Sequence, residues 1–249
     1  MVACNSLNPP CCAPEGDKLS RVDTGLLLFV EDPVRTVSRW SQEEPSGDTA
    51  VEILAAVHGD LVSTLLGAPG TALYLAPTAA ADADYVESLA SISGVEILQV
   101  PMAPPLQRWD AGLSILFNRC THRKVLCADG GVPDVTVEDL SRARRKLDLY
   151  RMVLGREGED RCWLVGFNGY EEILGLADAG PEDTLHPLLQ AAGRAGLDVS
   201  LLDTKRTLAT EPDMNVLRGL ARRAGYPRLR AVLERHQLAR KRSDETGAG

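Results

Sequence analysis

The residues of this chain that could do chemistry fall in three polar stretches next to apolar runs. In Val125–Pro133 (VLCADGGVP), Val125 and Leu126 read as the end of a buried strand. Asp129-Gly130-Gly131 then falls at its carboxyl end, ahead of a helix beginning near Thr136. Open α/β sheets bind ligands just outside the carboxyl ends of their strands, where loop amides and helix N-termini converge. A carboxylate there can hold a divalent cation that neutralises phosphates. Asp129 is therefore the candidate metal ligand and, with Gly130 and Gly131, a candidate cofactor contact; the same three residues also suit a plain turn. In Glu31–Trp40, Arg35 and Arg39 carry fork-shaped donors that match phosphate oxygens. In Arg156–Arg161, Glu159 and Asp160 supply carboxylates for acid/base work, which makes Asp129 and Glu159 the candidate catalytic pair. Loop arginines and acidic pairs in hairpins are ordinarily solvated, so the functional reading rests on all three stretches meeting at one cleft.

The surrounding pattern supplies a scaffold that can bring them together. Gly25–Val30 is a continuous apolar run, as in a strand covered on both faces. After the polar loop to Trp40, a helix starts near Asp48 with Val51, Ile53, Leu54, Val57, Leu61 and Leu65 on its apolar face. Thr71–Ala76 is a second strand. Asp82–Ser93 follows as a helix with Tyr85, Leu89 and Ile92 inward, and Val95–Val100 as a third strand. This β-α-β-α-β alternation predicts a parallel sheet with right-handed crossovers. Pro104–Asn118 is helical, Lys124–Ala128 is strand four, and Thr136-Val-Glu-Asp139 has capping-box spacing before a helix carrying Val137, Leu140, Ala143 and Leu147. Leu149–Gly155 and Cys162–Phe167 are strands whose short link forces them antiparallel. A helix capped by Asp183 or Thr184, a last strand Asp198–Leu202, a helix capped within Thr210–Asp213 and a final helix opened by Pro227 complete the fold. The predicted class is α/β: a three-layer, mostly parallel sandwich with an antiparallel excursion over 149–167. Residues 1–20 are expected to form a flexible arm, 21–240 one domain, and 241–249 a fraying tail.

Composition narrows the function. At 44% hydrophobic and 25% charged, the 249 residues suit a globular protein, and no apolar run approaches membrane-spanning length. The start MVACNSLNPPCCAPEG has neither the basic nor the apolar region of a secretory signal, so a cytoplasmic location is expected. The six cysteines show no CxxC pair; Cys120, Cys127 and Cys162 adjoin apolar runs as buried free thiols do. The four histidines have no ligand spacing. The net charge of −8 is uneven: Arg218–Arg242 holds nine Lys/Arg against Glu234 alone. Without interleaved aromatics, that segment reads as the solvated face of a helix docked on an acidic body rather than as a nucleic-acid contact. No Walker loop, GxGxxG, GxSxG or HExxH is present, which removes the main support for NTPase, dehydrogenase, α/β-hydrolase and zinc-protease readings.

Over Gly25 to Leu220 the chain resembles a bacterial family of glycosyltransferase-A-fold proteins, the arsenosugar-biosynthesis-type glycosyltransferases. That family opens with an apolar strand, Lys-x-Pro and Val-Lys-Thr-Arg-Leu; here stand LLLFVEDPV and Thr36-Val37-Ser38-Arg39-Trp40, with Pro33 and Arg39 matched and the lysines replaced by Glu31 and Val37. Its Gly-Ser-Asp-Ser-Pro-Asp signature is similar to Ala128–Asp134, with Asp129 kept. Its Leu-Gly-Pro-x-x-Asp-Gly-Gly-Tyr-Tyr-Leu-x-Gly run is similar to Leu154–Gly166, with the Asp falling on Glu159 and the Gly-Gly on Asp160-Arg161. Its Asp-x-Asp-Thr-x-x-Asp signature is similar to Thr207–Asp213, where the central Asp is Ala209.

The resemblance implies a glycosyltransferase-like transferase with a small-molecule nucleotide-activated donor and an unknown acceptor, Asp129 on a metal or ribose, Glu159 as base or acceptor contact, and Arg39 on phosphate. It implies Mg²⁺ or Mn²⁺ together with a nucleoside diphosphate. Losing two lysines and one acid weakens such a complex, so metal-independent action stays open. Two alternatives also stay open: a catalytically inactive relative acting as a binding or accessory protein, and a nucleotidyltransferase, because one fold serves both transfer chemistries.

Overall fold

The structure is a computed structural model that describes residues 22–40, 47–175, 177, 183–208 and 214–246. The expected arm at 1–20, the cap within Thr210–Asp213 and Ala209 lie outside the described residues.

Among the described residues seven strands form one sheet: β1 (Thr24–Val30), β2 (Thr71–Pro77), β3 (Glu96–Ile97), β4 (Lys124–Asp129), β5 (Met152–Glu157), β6 (Arg161–Phe167) and β7 (Val199–Lys205). Their order is β3-β2-β1-β4-β6-β5-β7. All neighbours run parallel except β6, which is antiparallel to both β4 and β5. β1 sits between β2 and β4, with Leu27 opposite Tyr74 and Cys127. Its continuous apolar run follows from burial on both faces. Leu26, Leu28 and Val30 join one core cluster, Leu27 and Phe29 the other.

Helices cover both faces. α2 (Gly47–Leu66), α3 (Ala83–Ser93) and α5 (Val137–Lys146) bury Leu61, Val86 and Leu140 on one side. α4 (Pro105–Asn118) and α6 (Leu185–Arg194) bury Leu113 and Leu188 on the other. Thr136 starts α5 with the expected capping box, its Oγ1 accepting from the Asp139 amide at 3.2 Å. α7 (Met214–Ala221) and α8 (Pro227–Thr246) stack on the outer side of α2, where Leu217, Leu220, Leu229 and Val232 pack against Ile53 and Val57. The basic segment is thus docked, as expected. Asp60, fully buried on α2, accepts from the Arg228 and Leu229 amides at 3.2 and 2.9 Å and so caps α8.

Several details differ from the sequence reading. The polar loop after β1 contains a short helix, α1 (Pro33–Val37), because Asp32 caps it by accepting from the Val34 amide at 2.7 Å and Pro33 presets its first residue. The third strand pairs over two residues only; Leu98 and Val100 stay buried after the chain leaves the ladder, so the apolar run marked burial rather than pairing. Ile92 is 75% exposed, since the inward stripe of α3 is set by Val86, Leu89 and Ala90. Leu149 is 77% exposed ahead of β5. α2 is long and apolar enough, by length and composition, to cross a bilayer, contrary to expectation; here it is a core helix with His58 and Asp60 buried. α8 stays helical through Thr246, past the expected end of the domain, and 247–249 lie outside the described residues.

Candidate functional site

The three expected stretches do meet, at the carboxyl edge of the parallel strands. A cavity of about 210 Å³ there is lined by Glu31 and Arg39 after β1, Asp129 and Gly131 after β4, and Arg161 at the start of β6. Phe29, Leu54, Leu106 and Trp109 give it an apolar wall, with Phe29 and Trp109 stacked at 6.1 Å between ring centres.

Asp129 ends β4, and its Oδ1 accepts from the Gly131 amide at 2.8 Å, an Asx turn. Burial pushes the Asp129 carboxyl above its ordinary value and Glu31 adds repulsion, while the Gly131 amide, Arg161 and Arg108 pull it back. Gly130 donates its N–H to the Phe29 carbonyl at 2.7 Å, and a Cβ there would sit 2.7 Å from that same oxygen, so only glycine fits. The Gly131 carbonyl in turn accepts from the Leu208 amide at 2.7 Å, tying the turn to the segment after β7.

Glu31 stands where the resemblance would place a lysine, and it occupies Arg39. Nη1 of Arg39 donates to Oε1 at 2.6 Å and Nη2 to Oε2, a two-pronged pair. Thr36 Oγ1 donates to Oε2 at 3.0 Å, and Arg35 Nη2 lies 3.5 Å from Oε1. The hydrogen bond to Glu31 raises Arg39 further, so it is a fixed cation.

Arg35 does not line the cavity. Its Nη1 donates at 2.6 Å to Asp82, a fully buried carboxylate that also accepts from Thr78 Oγ1 at 2.6 Å and from the Asp32 and Ala79 amides at 3.1 and 2.8 Å. Burial opposes the Asp82 charge, but these donors outweigh it and hold the carboxyl below the ordinary range. In the structure Arg35 fastens α1 to Asp82 and stands outside the cavity wall. Glu159 is corrected as well: it is exposed in the turn between β5 and β6 and absent from the cavity wall, to which the hairpin contributes Arg161 and Cys162. Gly158, with φ +62°, reverses the chain there and lines an adjoining second cavity. Asp160 is exposed too; its carbonyl accepts from the Thr184 and Leu185 amides at 2.9 and 2.8 Å.

Sequence reasoning missed three residues that reach the cavity. Arg108, in the first turn of α4, lies over the Phe29 ring at 5.6 Å and donates through Nη1 to the Thr78 carbonyl; its Nε is buried with no hydrogen-bond partner. Arg161 lies 3.5 Å from Glu157 Oε2. His58 lines the cavity from α2, with Nδ1 3.0 Å from the Tyr85 hydroxyl. Arg161 stands at the end of the Arg156–Arg161 stretch, whose carboxylates drew the functional reading; Arg108 and His58 come from elements far off in sequence with no motif around them, and only the α2 periodicity, which placed position 58 beside inward Val57 and Leu61, offered a signal. Among the described residues no group of three or more His, Cys, Asp or Glu is placed to hold a metal ion. Cys127 and Cys162 are buried free thiols, pushed up by burial, Cys162 to about 12. A second cavity of about 750 Å³ adjoins the first across Leu208, with Lys205, Arg206 and Arg223 in its wall.

No protein-family model matches the chain, and no curated protein sequence does. The fold matches a provisionally assigned nucleotide-diphospho-sugar transferase from Desulfovibrio desulfuricans with a TM-score of 0.72 at 20% identity, covering 86% of this chain and 97% of that one. It also matches a 4-diphosphocytidyl-2C-methyl-D-erythritol synthase from Anaerococcus prevotii (TM-score 0.57, 11% identity, 80% and 96% covered). A nucleotidyl transferase from Methanothermobacter matches at TM-score 0.54 and 16% identity, with 79% and 96% covered. At such identities the likeness establishes the fold: the chain has the mixed α/β architecture of nucleotide-diphospho-sugar transferases, and the narrower arsenosugar-type family finds no match.

Proposed function

We propose that the chain is a nucleotide-dependent transferase that takes a nucleoside-diphosphate-activated donor at the carboxyl edge of β1 and β4 and passes its glycosyl group to a small acceptor. The observation that carries this reading is the meeting of Asp129 with Arg39, Arg108 and Arg161 around one cavity under a Gly130-Gly131 turn. Three guanidiniums suit a diphosphate, and the apolar wall suits the flat parts of a nucleoside. Asp129 holds either a ribose hydroxyl or a divalent cation, and the two carboxylates Asp129 and Glu31 fit the latter only with phosphate oxygens completing its shell. Such a cation would supply charge neutralisation of the departing diphosphate. The adjoining cavity beyond Leu208 gives an acceptor room.

Two rivals have support of their own. Nucleotidyl transfer is favoured by the matches to a cytidylyl synthase and a nucleotidyl transferase. A non-catalytic binding role is favoured by Glu31, which holds the one phosphate-type arginine kept from the resembled motif. A thermal-shift panel of nucleoside diphosphates, nucleoside triphosphates and nucleotide sugars, with and without Mn²⁺, separates them. The proposal expects a rise in Tm with a diphosphate or its sugar, and release of nucleoside diphosphate on turnover. Pyrophosphate release from a triphosphate would mean nucleotidyl transfer, and no shift across the panel would overturn the transferase reading.

A further inference from the structure

His58 is 3% exposed in the interior of α2, yet its ring lines the cavity. A polar side chain buried this far ordinarily has both ring nitrogens satisfied. Only one is: Nδ1 lies 3.0 Å from the Tyr85 hydroxyl, and Nε2 carries no hydrogen bond among the described residues. The two rings are tilted by 53° with centres 5.8 Å apart, so the contact bridges α2 and α3.

The protein partners favour one placement of the proton. A neutral imidazole is a donor at one nitrogen and an acceptor at the other. Were Nδ1 the protonated nitrogen, it would donate to Tyr85, and the Tyr85 O–H would need another acceptor; none exists among the described residues. With Tyr85 donating to Nδ1, both groups are satisfied and the proton sits on Nε2. Burial, with the Asp32 charge adding to it, raises the Tyr85 phenol, so it keeps its proton. Burial also depresses His58 to about 4, against a small opposing pull from Glu31, so the ring is neutral at pH 7.

We propose that Tyr85 holds His58 as a neutral Nε2–H donor facing the cavity, where it selects an uncharged oxygen acceptor on the nucleoside portion of the ligand. This rests on the nucleotide reading of the site. The diphosphate has three arginines to meet, whereas a neutral donor on a wall that also includes Leu54 and Leu208 suits a base carbonyl or a sugar hydroxyl better than a phosphate. His58 is in this sense a specificity residue, and Tyr85 positions it.

Two measurements on the full chain decide it. In long-range ¹H–¹⁵N spectra of imidazole-labelled protein at pH 7, the His58 signals, assigned by their loss in His58→Gln, should show the proton on Nε2, and Tyr85→Phe should remove that preference. A proton on Nδ1 in the wild type would overturn the assignment, whether or not any ligand binds. In titrations, His58→Leu should weaken nucleoside diphosphate binding about tenfold, the loss expected when a buried acceptor goes unmet, while leaving inorganic pyrophosphate binding within about twofold. His58→Gln, which keeps an N–H donor, should recover part of the loss. Equal loss for pyrophosphate, or none for the nucleotide, would contradict nucleoside selection. Failure of the wild type to bind either compound would sink the transferase reading, and the spectra would still settle the His58 tautomer. A base carbonyl is distinguished from a sugar hydroxyl by 2′- and 3′-deoxy diphosphates, whose weaker binding only in the wild type assigns the hydroxyl.

Discussion

Glu31 decides what Arg39 can do. The pair is two-pronged, but Arg39 is about half exposed, and such pairs contribute only about 1 kcal/mol, so a diphosphate can take the guanidinium over. What remains is the released Glu31 carboxylate facing the same anion. Glu31→Gln should therefore tighten nucleoside diphosphate binding by roughly tenfold in a titration calorimeter, and unchanged or weaker binding would show that Glu31 has another task, such as holding a cation. At this scale the sequence was readable where a strand runs straight into the site: the apolar Val125–Ala128 ends on Asp129, and Arg39 follows β1 at short range. It was unreadable where the side chain crosses the fold. Arg108 and His58 reach the cavity only through packing of α4 and α2, and Arg161 turns in from the stretch whose acids carried the expectation. Glu159 sits in the β5–β6 link as the sequence suggests, but the turn at Gly158 leaves it exposed and off the cavity wall.

Among the elements, α8 is fastened at its first turn. Pro227 presets the helix, Asp60 accepts two of its free amides, and Leu229 and Val232 enter the seam with α2. Asp60→Ala should cost about 2 kcal/mol in urea unfolding, because it leaves the buried Leu229 N–H and the partly buried Arg228 N–H without their acceptor. Truncation after Gly225 should cost more, since it also strips the cover from Ile53 and Val57. A truncated chain as stable as the whole would mean that α8 merely rests on α2. Element type and order were legible except for the short α1, because the apolar periods of β1, β4, α2 and α5 are long and consistent. Bounds were less so: α1 was hidden in a polar loop because its cap, Asp32, was read as loop polarity, and β3 was overdrawn because buried Leu98 and Val100 continue the pattern after pairing stops.

For the whole molecule, buried titrating groups set the response to acid. His58 titrates near 4 when folded and near 6.5 when unfolded, so unfolding takes up a proton between those values; its contribution is complete above about pH 6.5 and is lost toward pH 4, by up to about 3 kcal/mol. His122, also lowered by burial, adds to that loss. Asp82 is held below the ordinary range, so its contribution persists to about pH 4 and is lost only below it. Burial raises Asp110 and Asp129, which work in the opposite direction and gain stability as pH falls. The Tm of the wild type relative to that of His58→Gln should therefore fall steadily from pH 7 to pH 4; a constant offset would mean that His58 is not neutral in the fold. The central claim, that the cavity at Asp129 receives a nucleoside diphosphate, is tested most directly by calorimetry of wild type and Asp129→Ala with Mn²⁺ alone, nucleoside diphosphate alone, and both. The account predicts no measurable Mn²⁺ binding to the free protein, nucleotide binding by the wild type that Mn²⁺ leaves unchanged or strengthens, and loss of that binding in Asp129→Ala with an unchanged circular dichroism spectrum. Nucleotide binding that is undiminished in Asp129→Ala would contradict it and move the site away from the turn after β4.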